Sequence, residues 1–355
     1  MSSPAFQRWA ASSLLTRAIT RRRARAVFDL CAGFVYSQIL HACVELRLLE
    51  RLARGPATLD QLSRELDLAP DRARRLLEGA TALGLLARRG VDRYGLGMDG
   101  AAMLANPGIL RMIEHHAMLY RDLADPVALL RDKPRSRELA RYWGYATSDA
   151  PQSLDPADVE RYTRLMSASQ TFVADEVLDA YPLSAHRALL DVGGGDGTFL
   201  RRVAARASHL ELHLFDLPAV AAIAERGLAE SGLSHRAKVH PGSFITDPLP
   251  QGADVVTLVR VLHDHDDDIA LILLSRARAA LDKGGVLLIA EPMSGTAGAE
   301  TVGEAYFGFY LLAMGSGRPR RPDEIFALLR EAGFARFRML PTRLALQTSL
   351  VLAEV

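Results

Sequence analysis

The 355-residue sequence is poor in cysteine, nearly balanced in charge and without a long uncharged apolar run. Its two cysteines, Cys31 and Cys43, share one apolar helical stretch, which favours buried thiols in a reducing cytoplasm over a disulfide or a metal pair. A net charge of +1 gives no general attraction to nucleic acid. The best candidate for a membrane span, residues 30–44, is shorter than a bilayer requires, and residues 1–27 lack the apolar core of a signal peptide.

Positive charge is concentrated near the N-terminus, because residues 1–27 hold six arginines and no acidic residue. Apolar side chains lie between them, at Trp9, Leu14, Leu15 and Ile19. Such a mixture is typical of a surface helix that touches anionic lipid. The alternative is a disordered or dimer-wrapping arm, so a peripheral membrane contact is one of two hypotheses for this segment.

The N-terminal part of the chain is predicted to be helical. Residues 28–54 have the pattern of one long amphipathic helix, and residues 56–97 have the order helix, turn, helix and hairpin. Thr58 and Gln61 fit a capping box at the first of these shorter helices. This order predicts a winged helix, which often binds DNA, but seven arginines against six acids over residues 55–95 make a weak electrostatic footprint for DNA.

The length of the chain allows two domains, and we place their boundary between residues 1–155 and residues 156–355. In the second domain, strand patterns alternate with short helices, which indicates βαβ units and a parallel sheet in an α/β fold. Two last apolar runs are joined by a short turn and predict an antiparallel hairpin at the sheet edge. The predicted strands lie at residues 188–193, 211–216, 237–241, 254–262 and 285–291, and those of the hairpin at 334–340 and 344–352.

The first of these strands is followed by a glycine-rich turn that is typical of a nucleotide-like cofactor site. The apolar run stops at Asp191, and Gly193 and Gly195 precede a helical pattern. The third glycine of a dinucleotide fingerprint is absent, because its position is Thr198. Asp191 suits a cationic ligand better than a pyrophosphate, and Asp216, at the end of the second strand, suits ribose hydroxyls. These features favour S-adenosylmethionine over NAD, with a structural glycine turn as the alternative.

Five motifs in order resemble the S-adenosylmethionine-dependent O-methyltransferases of plant and bacterial secondary metabolism. They are Asp191-Val-Gly-Gly-Gly-Asp-Gly197, Phe215-Asp-Leu-Pro218, Pro241-Gly-Ser-Phe244, Val261-Leu-His-Asp264 and Ala290-Glu-Pro292. The resemblance implies a Rossmann-like class I methyltransferase sheet with an N-terminal helical winged-helix dimerisation domain, and a homodimer. It further implies that S-adenosylmethionine binds Asp191, Gly193, Gly195, Asp216, Leu217, Ser243, Phe244, Arg260, Tyr162 and Met166.

By the same resemblance, His263 is the catalytic base and Glu291 orients it. His263 follows the fourth strand, where ligands bind in open α/β sheets, and imidazole titrates near neutral pH. The alternative is that His263 only caps the next helix. No metal is expected, because the run of histidine and aspartate from His263 to Asp268 cannot converge on one ion, and its last acids suit the N-terminus of the helix predicted at residues 269–281.

The sequence departs from the family pattern at three positions. Many relatives carry a second glutamate where Pro319 stands, a tryptophan where His265 stands, and, among plant members, an aspartate where Ser243 stands. Only Glu291 is then expected to support His263.

A narrower resemblance concerns the acceptor. Residues 27–38 and 306–320 resemble the hydroxycarotenoid O-methyltransferases of purple photosynthetic bacteria, the demethylspheroidene type. This implies a lipophilic acceptor beside an apolar wall, although the same residues could instead pack a dimer. The alternatives are another aromatic or tetrapyrrole metabolite or, in a different class, a winged-helix regulator that senses a ligand. The wall residues are Phe307, Phe309, Tyr310, Leu311 and Met314.

Overall fold

The computed structural model describes Ser3 and residues 16–144, 156–343 and 348–355. The predicted membrane-facing residues Trp9, Leu14 and Leu15 lie outside these ranges. The chain divides into two compact units, residues 1–114 and 115–355, and each has its own core.

The first unit combines short helices with a small antiparallel sheet of order β1-β3-β2. The predicted capping box is present, because the Gln61 amide donates to Thr58 Oγ1 at 3.3 Å while Gln61 Oε1 accepts the Thr58 N–H at 2.9 Å. The predicted helix, turn, helix and hairpin are therefore observed, and their use as a winged helix stays a prediction. The elements up to residue 122 are α1 (Arg17–Glu45), α2 (Leu48–Ala53), β1 (Ala57–Thr58), α3 (Leu59–Glu65), α4 (Pro70–Ala82), β2 (Leu86–Arg88), β3 (Arg93–Leu96), α5 (Met98–Leu104) and α6 (Pro107–Asp122).

The long helix predicted at residues 28–54 is two helices, because Arg47 adopts a left-handed backbone with φ of 51° that separates α1 from α2. The start of α1 also lies eleven residues earlier than predicted. Cys43 is buried, and burial raises the pKa of its thiol to about 12, but Cys31 is exposed, contrary to expectation. Of the described residues, only those of α1 form a helix long and apolar enough, by length and composition, to cross a membrane.

The second unit is built on a seven-stranded sheet of order β6 (Ala237–Pro241), β5 (Glu211–Asp216), β4 (Ala188–Val192), β7 (Ala253–Val259), β8 (Leu281–Glu291), β10 (Ser349–Glu354) and β9 (Arg336–Leu340). Strand β10 runs antiparallel to both of its neighbours. This confirms the α/β fold with a hairpin at the edge, although residues 344–347 of the predicted last strand lie outside the described ranges. Its elements are α7 (Pro126–Leu130), α8 (Glu138–Tyr142), α9 (Pro156–Ala180), β4 (Ala188–Val192), α10 (Thr198–Arg206), β5 (Glu211–Asp216), α11 (Pro218–Glu230), β6 (Ala237–Pro241), β7 (Ala253–Val259), α12 (Asp267–Ala280), β8 (Leu281–Glu291), α13 (Gly308–Met314), α14 (Pro322–Glu331), β9 (Arg336–Leu340) and β10 (Ser349–Glu354).

Alternation along β4 builds a core on each face of the sheet. Leu189 packs in one buried cluster with Phe199, and Leu190 packs in the other with Leu273. Burying each such side chain stabilises the fold by about 1.5–3 kcal/mol. Because β4, β5, β7 and β8 are parallel, their carboxyl ends meet at one edge of the sheet. This edge brings the predicted site residues together.

Residues 115–144, which the sequence assigned to the first domain, belong to the second compact unit. The two compact units meet between residues 114 and 115, within α6, whereas the predicted boundary lies after residue 155, which is outside the described ranges. Within the second unit, His115 and Trp143 both hydrogen-bond to Tyr310 of α13. The assignment of residues 1–155 to one domain stays a prediction.

Candidate active site

The turn after β4 depends on glycine. Gly193, Gly195 and Gly197 have φ of 70°, 60° and 80°, a left-handed conformation that other residues adopt at a cost. A Cβ on Gly193 would lie 2.7 Å from Val261 Cγ2, so this glycine also permits close packing against the next loop. A Cβ on Gly195 would meet no atom within 4 Å, so this residue faces open space that a ligand can enter. Gly197 is the N-cap residue immediately before α10, and sequence analysis assigned it no role.

Two acidic side chains flank this turn. Asp191 is buried, and its Oδ1 accepts the hydroxyl of Thr257 at 2.7 Å, while its Oδ2 is buried without a hydrogen-bond partner in the described part of the chain. Burial raises the pKa of Asp191 to about 7. Asp216 accepts the Gly195 N–H at 2.9 Å and the Leu217 N–H at 2.7 Å, and burial raises its pKa to about 6. A cationic or hydroxyl-bearing ligand would therefore stabilise the charged form of both carboxyl groups.

The other predicted cofactor residues are placed as follows. Tyr162 and Leu217 share one buried cluster, and the charge of Asp216 acts on the Tyr162 hydroxyl. The guanidinium of Arg260 donates to Met166 Sδ at 3.8 Å. The Ser243 hydroxyl accepts the Ile245 N–H at 3.3 Å, a hydrogen bond within the turn that follows β6.

Arg260 explains why β7 is shorter than predicted. Its φ of 60° is left-handed, so the strand ends at Val259, and a 3₁₀ turn of Leu262–Asp264 follows. The backbone N–H of Arg260 still donates to Ala290 of β8 at 2.8 Å. This break in the strand turns His263 toward the end of β8.

His263 and Glu291 form a buried pair, with 7% and 2% of their surfaces exposed. The imidazole Nδ1 is hydrogen-bonded to Glu291 Oε2. The other oxygen, Oε1, accepts the backbone N–H groups of Val261 at 3.1 Å and Leu262 at 2.7 Å. Glu291 therefore orients the ring and fixes the backbone that carries it.

Asp264 provides a second carboxylate to the same ring. Its Oδ1 lies 3.1 Å from His263 Nε2, so the imidazole sits between two carboxylates. Burial lowers the pKa of His263, but the charges of Glu291 and Asp264 outweigh this and hold it above its usual value. Both carboxylates thus favour the protonated ring more than water does. Sequence reasoning assigned Asp264 no role.

Arg320 also stabilises the turn that carries His263, and sequence analysis assigned it no role. Its buried guanidinium donates to the carbonyl of Leu262 at 2.9 Å, to that of His265 at 2.7 Å and to the carboxylate of Asp267 at 2.9 Å. The second carboxylate at the His263 ring is therefore that of Asp264, its neighbour in the same turn.

His265, predicted above to replace a tryptophan of the family, makes an aromatic contact. It packs edge-on against Phe244 at 5.1 Å between ring centroids. Burial lowers the pKa of His265. Among the described residues, no group of three or more histidine, cysteine or carboxylate side chains could hold a metal ion.

A cluster of aromatic side chains lies next to His263. A π-helical turn at Thr301–Phe307 leads into α13 and places the Phe307 ring 5.9 Å from the imidazole. Tyr310, Leu311 and Met314 of the predicted wall are buried in one cluster with Trp143 and Tyr162. Phe309 is 38% exposed and lies on the other side of α13.

Comparison with protein families decides the class of this site. Residues 120–335 match the model of the O-methyltransferase domain, and residues 28–105 match the O-methyltransferase dimerisation domain. The chain belongs to the O-methyltransferase family. The enzyme uses S-adenosylmethionine as its methyl donor, and the dimerisation domain supports a homodimer.

This O-methyltransferase has similar relatives along most of its length. The demethylspheroidene O-methyltransferase of Cereibacter sphaeroides is 47% identical over 325 residues, 92% of this chain and 85% of the relative. That of Rhodobacter capsulatus is 45% identical over 341 residues, 96% of this chain and 84% of the relative. Among solved structures, mitomycin 7-O-methyltransferase MmcR superposes with a TM-score of 0.77 at 25% identity, over 96% of this chain and 100% of that one.

Proposed function

We propose that this enzyme methylates the hydroxyl of a hydroxycarotenoid, with His263 as general base. The observation that carries the proposal is the buried His263–Glu291 pair beside an aromatic cluster at the carboxyl edge of the sheet. The relatives named above support the acceptor class, since both are demethylspheroidene O-methyltransferases. A buried aromatic and aliphatic wall suits a long hydrocarbon chain better than a polar acceptor.

The residues of the turn fit S-adenosylmethionine. The unpartnered Oδ2 of Asp191 suits a cationic group, and Asp216 retains lone pairs for hydroxyl groups after accepting two backbone N–H donors. Gly195 leaves room for close approach, and Tyr162 and Met166 close the side formed by α9. The bound cofactor supplies an electrophilic methyl group on a sulfonium.

His263 would remove the acceptor's proton. The hydroxyl oxygen forms the new bond to the methyl carbon as the bond from that carbon to sulfur breaks, and the hydroxyl proton moves to Nε2. Glu291 then stabilises the imidazolium through Nδ1. Asp264 must leave Nε2 before the acceptor hydroxyl can reach it. An aliphatic alcohol is a weak acid, so the base acts while the methyl moves, and it contributes about 10²–10⁴-fold in rate.

The test is methylation of matched acceptors by the purified full-length enzyme. Labelled S-adenosylmethionine is supplied with a hydroxycarotenoid, with the same carotenoid lacking the hydroxyl, and with a phenolic metabolite of similar size. We expect label only in the hydroxycarotenoid, as a methyl ether. Preferential labelling of the phenol would replace the carotenoid by an aromatic acceptor, and label on carbon would refute oxygen chemistry.

We further propose that the enzyme is cytoplasmic and that the start of α1 touches the membrane in which such an acceptor dissolves. Residues 17–27 precede the matched dimerisation domain and carry five exposed arginines, together with Ile19 and Val27, which are 64% and 61% exposed. Cationic and apolar side chains on one helix suit an anionic lipid surface.

Vesicle co-sedimentation tests this contact. Binding to phosphatidylglycerol vesicles, but not to phosphatidylcholine vesicles, is expected, and it should weaken when Arg21, Arg22 and Arg23 are replaced by serine. Equal sedimentation with both lipids, or with the variant, would contradict the proposal. Loss of the dimer in the variant would assign the segment to the dimer instead.

A further inference from the structure

A chain of buried hydrogen bonds includes Tyr310 of the aromatic wall. The Trp143 indole N–H donates to Tyr310 Oη at 2.8 Å, and the same oxygen lies 2.8 Å from His115 Nε2. An indole N–H can only donate, so Tyr310 accepts it; no other acceptor for the Tyr310 hydroxyl is found among the described residues, so we assign that hydroxyl as the donor to Nε2. Burial lowers the pKa of His115 to about 4 and raises that of Tyr310, so both groups are neutral. His115 therefore carries its proton on Nδ1.

This Nδ1–H is an unsatisfied donor. His115 is 5% exposed, and within residues 16–144, 156–343 and 348–355 its Nδ1 has no hydrogen-bond partner. The rings of Tyr142, Trp143 and Tyr310 surround it, with centroids 4.7 Å, 5.8 Å and 6.0 Å away. Buried polar atoms are almost always paired in folded proteins, so this lone donor among aromatic rings lacks a partner that a bound ligand can supply.

The position of His115 relates it to the acceptor. The ring contacts run from His263 to Phe307 at 5.9 Å, from Phe307 to Tyr310 at 6.4 Å and from Tyr310 to His115 at 6.0 Å. His115 is therefore separated from the base by two layers of rings on the acceptor side. A donor at that remove cannot serve the reacting hydroxyl, which must also contact Nε2 of His263.

We propose that His115 Nδ1–H donates a hydrogen bond to a second oxygen of the acceptor, a ketone, ether or hydroxyl remote from the one that is methylated. The inference rests on the proposed function and makes His115 a specificity-determining residue. An acceptor without that oxygen leaves the donor unpaired in the complex and binds less tightly.

The experiment compares two acceptors, a hydroxycarotenoid and the same molecule with an additional ketone. For the wild type we expect a KM for the ketone that is lower by about threefold to tenfold, the range of one neutral hydrogen bond. His115→Phe should remove this preference in KM, while the dissociation constant for S-adenosylmethionine stays unchanged. His115→Asn, whose amide can accept from Tyr310 and still donate, should restore part of the preference and serves if the phenylalanine variant folds poorly.

His116→Phe is the matched control. His116 is the neighbouring imidazole on α6, and its Nε2 is bonded to the hydroxyl of Tyr306 at 2.7 Å. This variant should change KM for both acceptors by the same factor. Acceptor binding is also followed without turnover, by the carotenoid absorption spectrum.

The outcomes separate the two proposals. If neither carotenoid is methylated but the ketone binds more tightly to the wild type than to His115→Phe, the hydrogen bond stands and the proposed reaction fails. If both are methylated with equal KM by the wild type, or if His115→Phe keeps the preference, the role of His115 is refuted and the reaction stands.

Discussion

The cofactor side and the acceptor side of this site are built in different ways. The cofactor side is local, because Asp191, Gly193 and Gly195 lie within five residues and Asp216 follows on the adjacent strand. The acceptor side joins distant parts of the chain, such as His115 and Tyr310, which are 195 residues apart. Backbone conformation and formal charge define the first, whereas side-chain packing and hydrogen bonds define the second. Changes on one side should therefore leave the other largely intact.

The largest effect is expected from His263→Ala. Loss of the imidazole should lower kcat by about 10²–10⁴-fold, because the acceptor proton loses its general base. The dissociation constant for S-adenosylmethionine should change little, which single-turnover assays with calorimetry would show. His235→Ala, a change at an exposed histidine, is the control. Near-normal turnover would mean that the enzyme works by positioning alone.

Arg320→Met should destabilise the second unit. Two buried carbonyls, those of Leu262 and His265, would lose their charged donor, at a cost of about 2–4 kcal/mol. Denaturant unfolding measures the change, with the exposed Arg321→Met as the matched control. Equal midpoints for the two variants would show that the turn is held by Glu291 alone.

Asp216→Ala tests the cofactor side by itself. An ionised acceptor contributes roughly 1.5–3 kcal/mol, so S-adenosylmethionine should bind about 10–100-fold more weakly. Acceptor binding should be unaffected if the two sides are independent. Glu211→Ala, at the other end of β5, should alter neither. An unchanged affinity for the cofactor would remove Asp216 from the site.

The smallest effect concerns pH. The base must be unprotonated to accept a proton, and the pKa of His263 is raised, so kcat/KM should rise with pH through a value above the ordinary 6.5 of histidine. Asp264→Asn removes one of the two charges that raise it, so the rise should move to lower pH. Asp268→Asn, an exposed change nearby, should leave the profile in place. A profile that is identical in all three proteins would exclude His263 as the titrating group.

The difference between the cofactor side and the acceptor side also explains which features could be predicted from the sequence. The strands that carry Asp191, Asp216 and Glu291 near their carboxyl ends follow from apolar runs that stop at an acid, and the structure confirms these strands. The backbone breaks at Arg47 and Arg260 were not foreseen, because no local rule places arginine in the left-handed region.

The network on the acceptor side was not foreseen either. In the sequence, nothing distinguishes Arg320 from a surface arginine. The structure shows that it is buried and hydrogen-bonded to two carbonyls. In the sequence, nothing distinguishes His115 from an ordinary buried histidine. Its hydrogen bond to Tyr310, from which we assign the tautomer, is visible only in the structure. Both roles depend on partners far along the chain, which no spacing in the sequence indicates.

The two oxygens of Glu291 separate architecture from reactivity. One oxygen secures two backbone amides, so the loop keeps its shape whichever side chain stands at position 263. The other oxygen serves that side chain alone. A lineage could therefore exchange the reactive group without rebuilding the scaffold, and this position is where we expect catalytic divergence to begin.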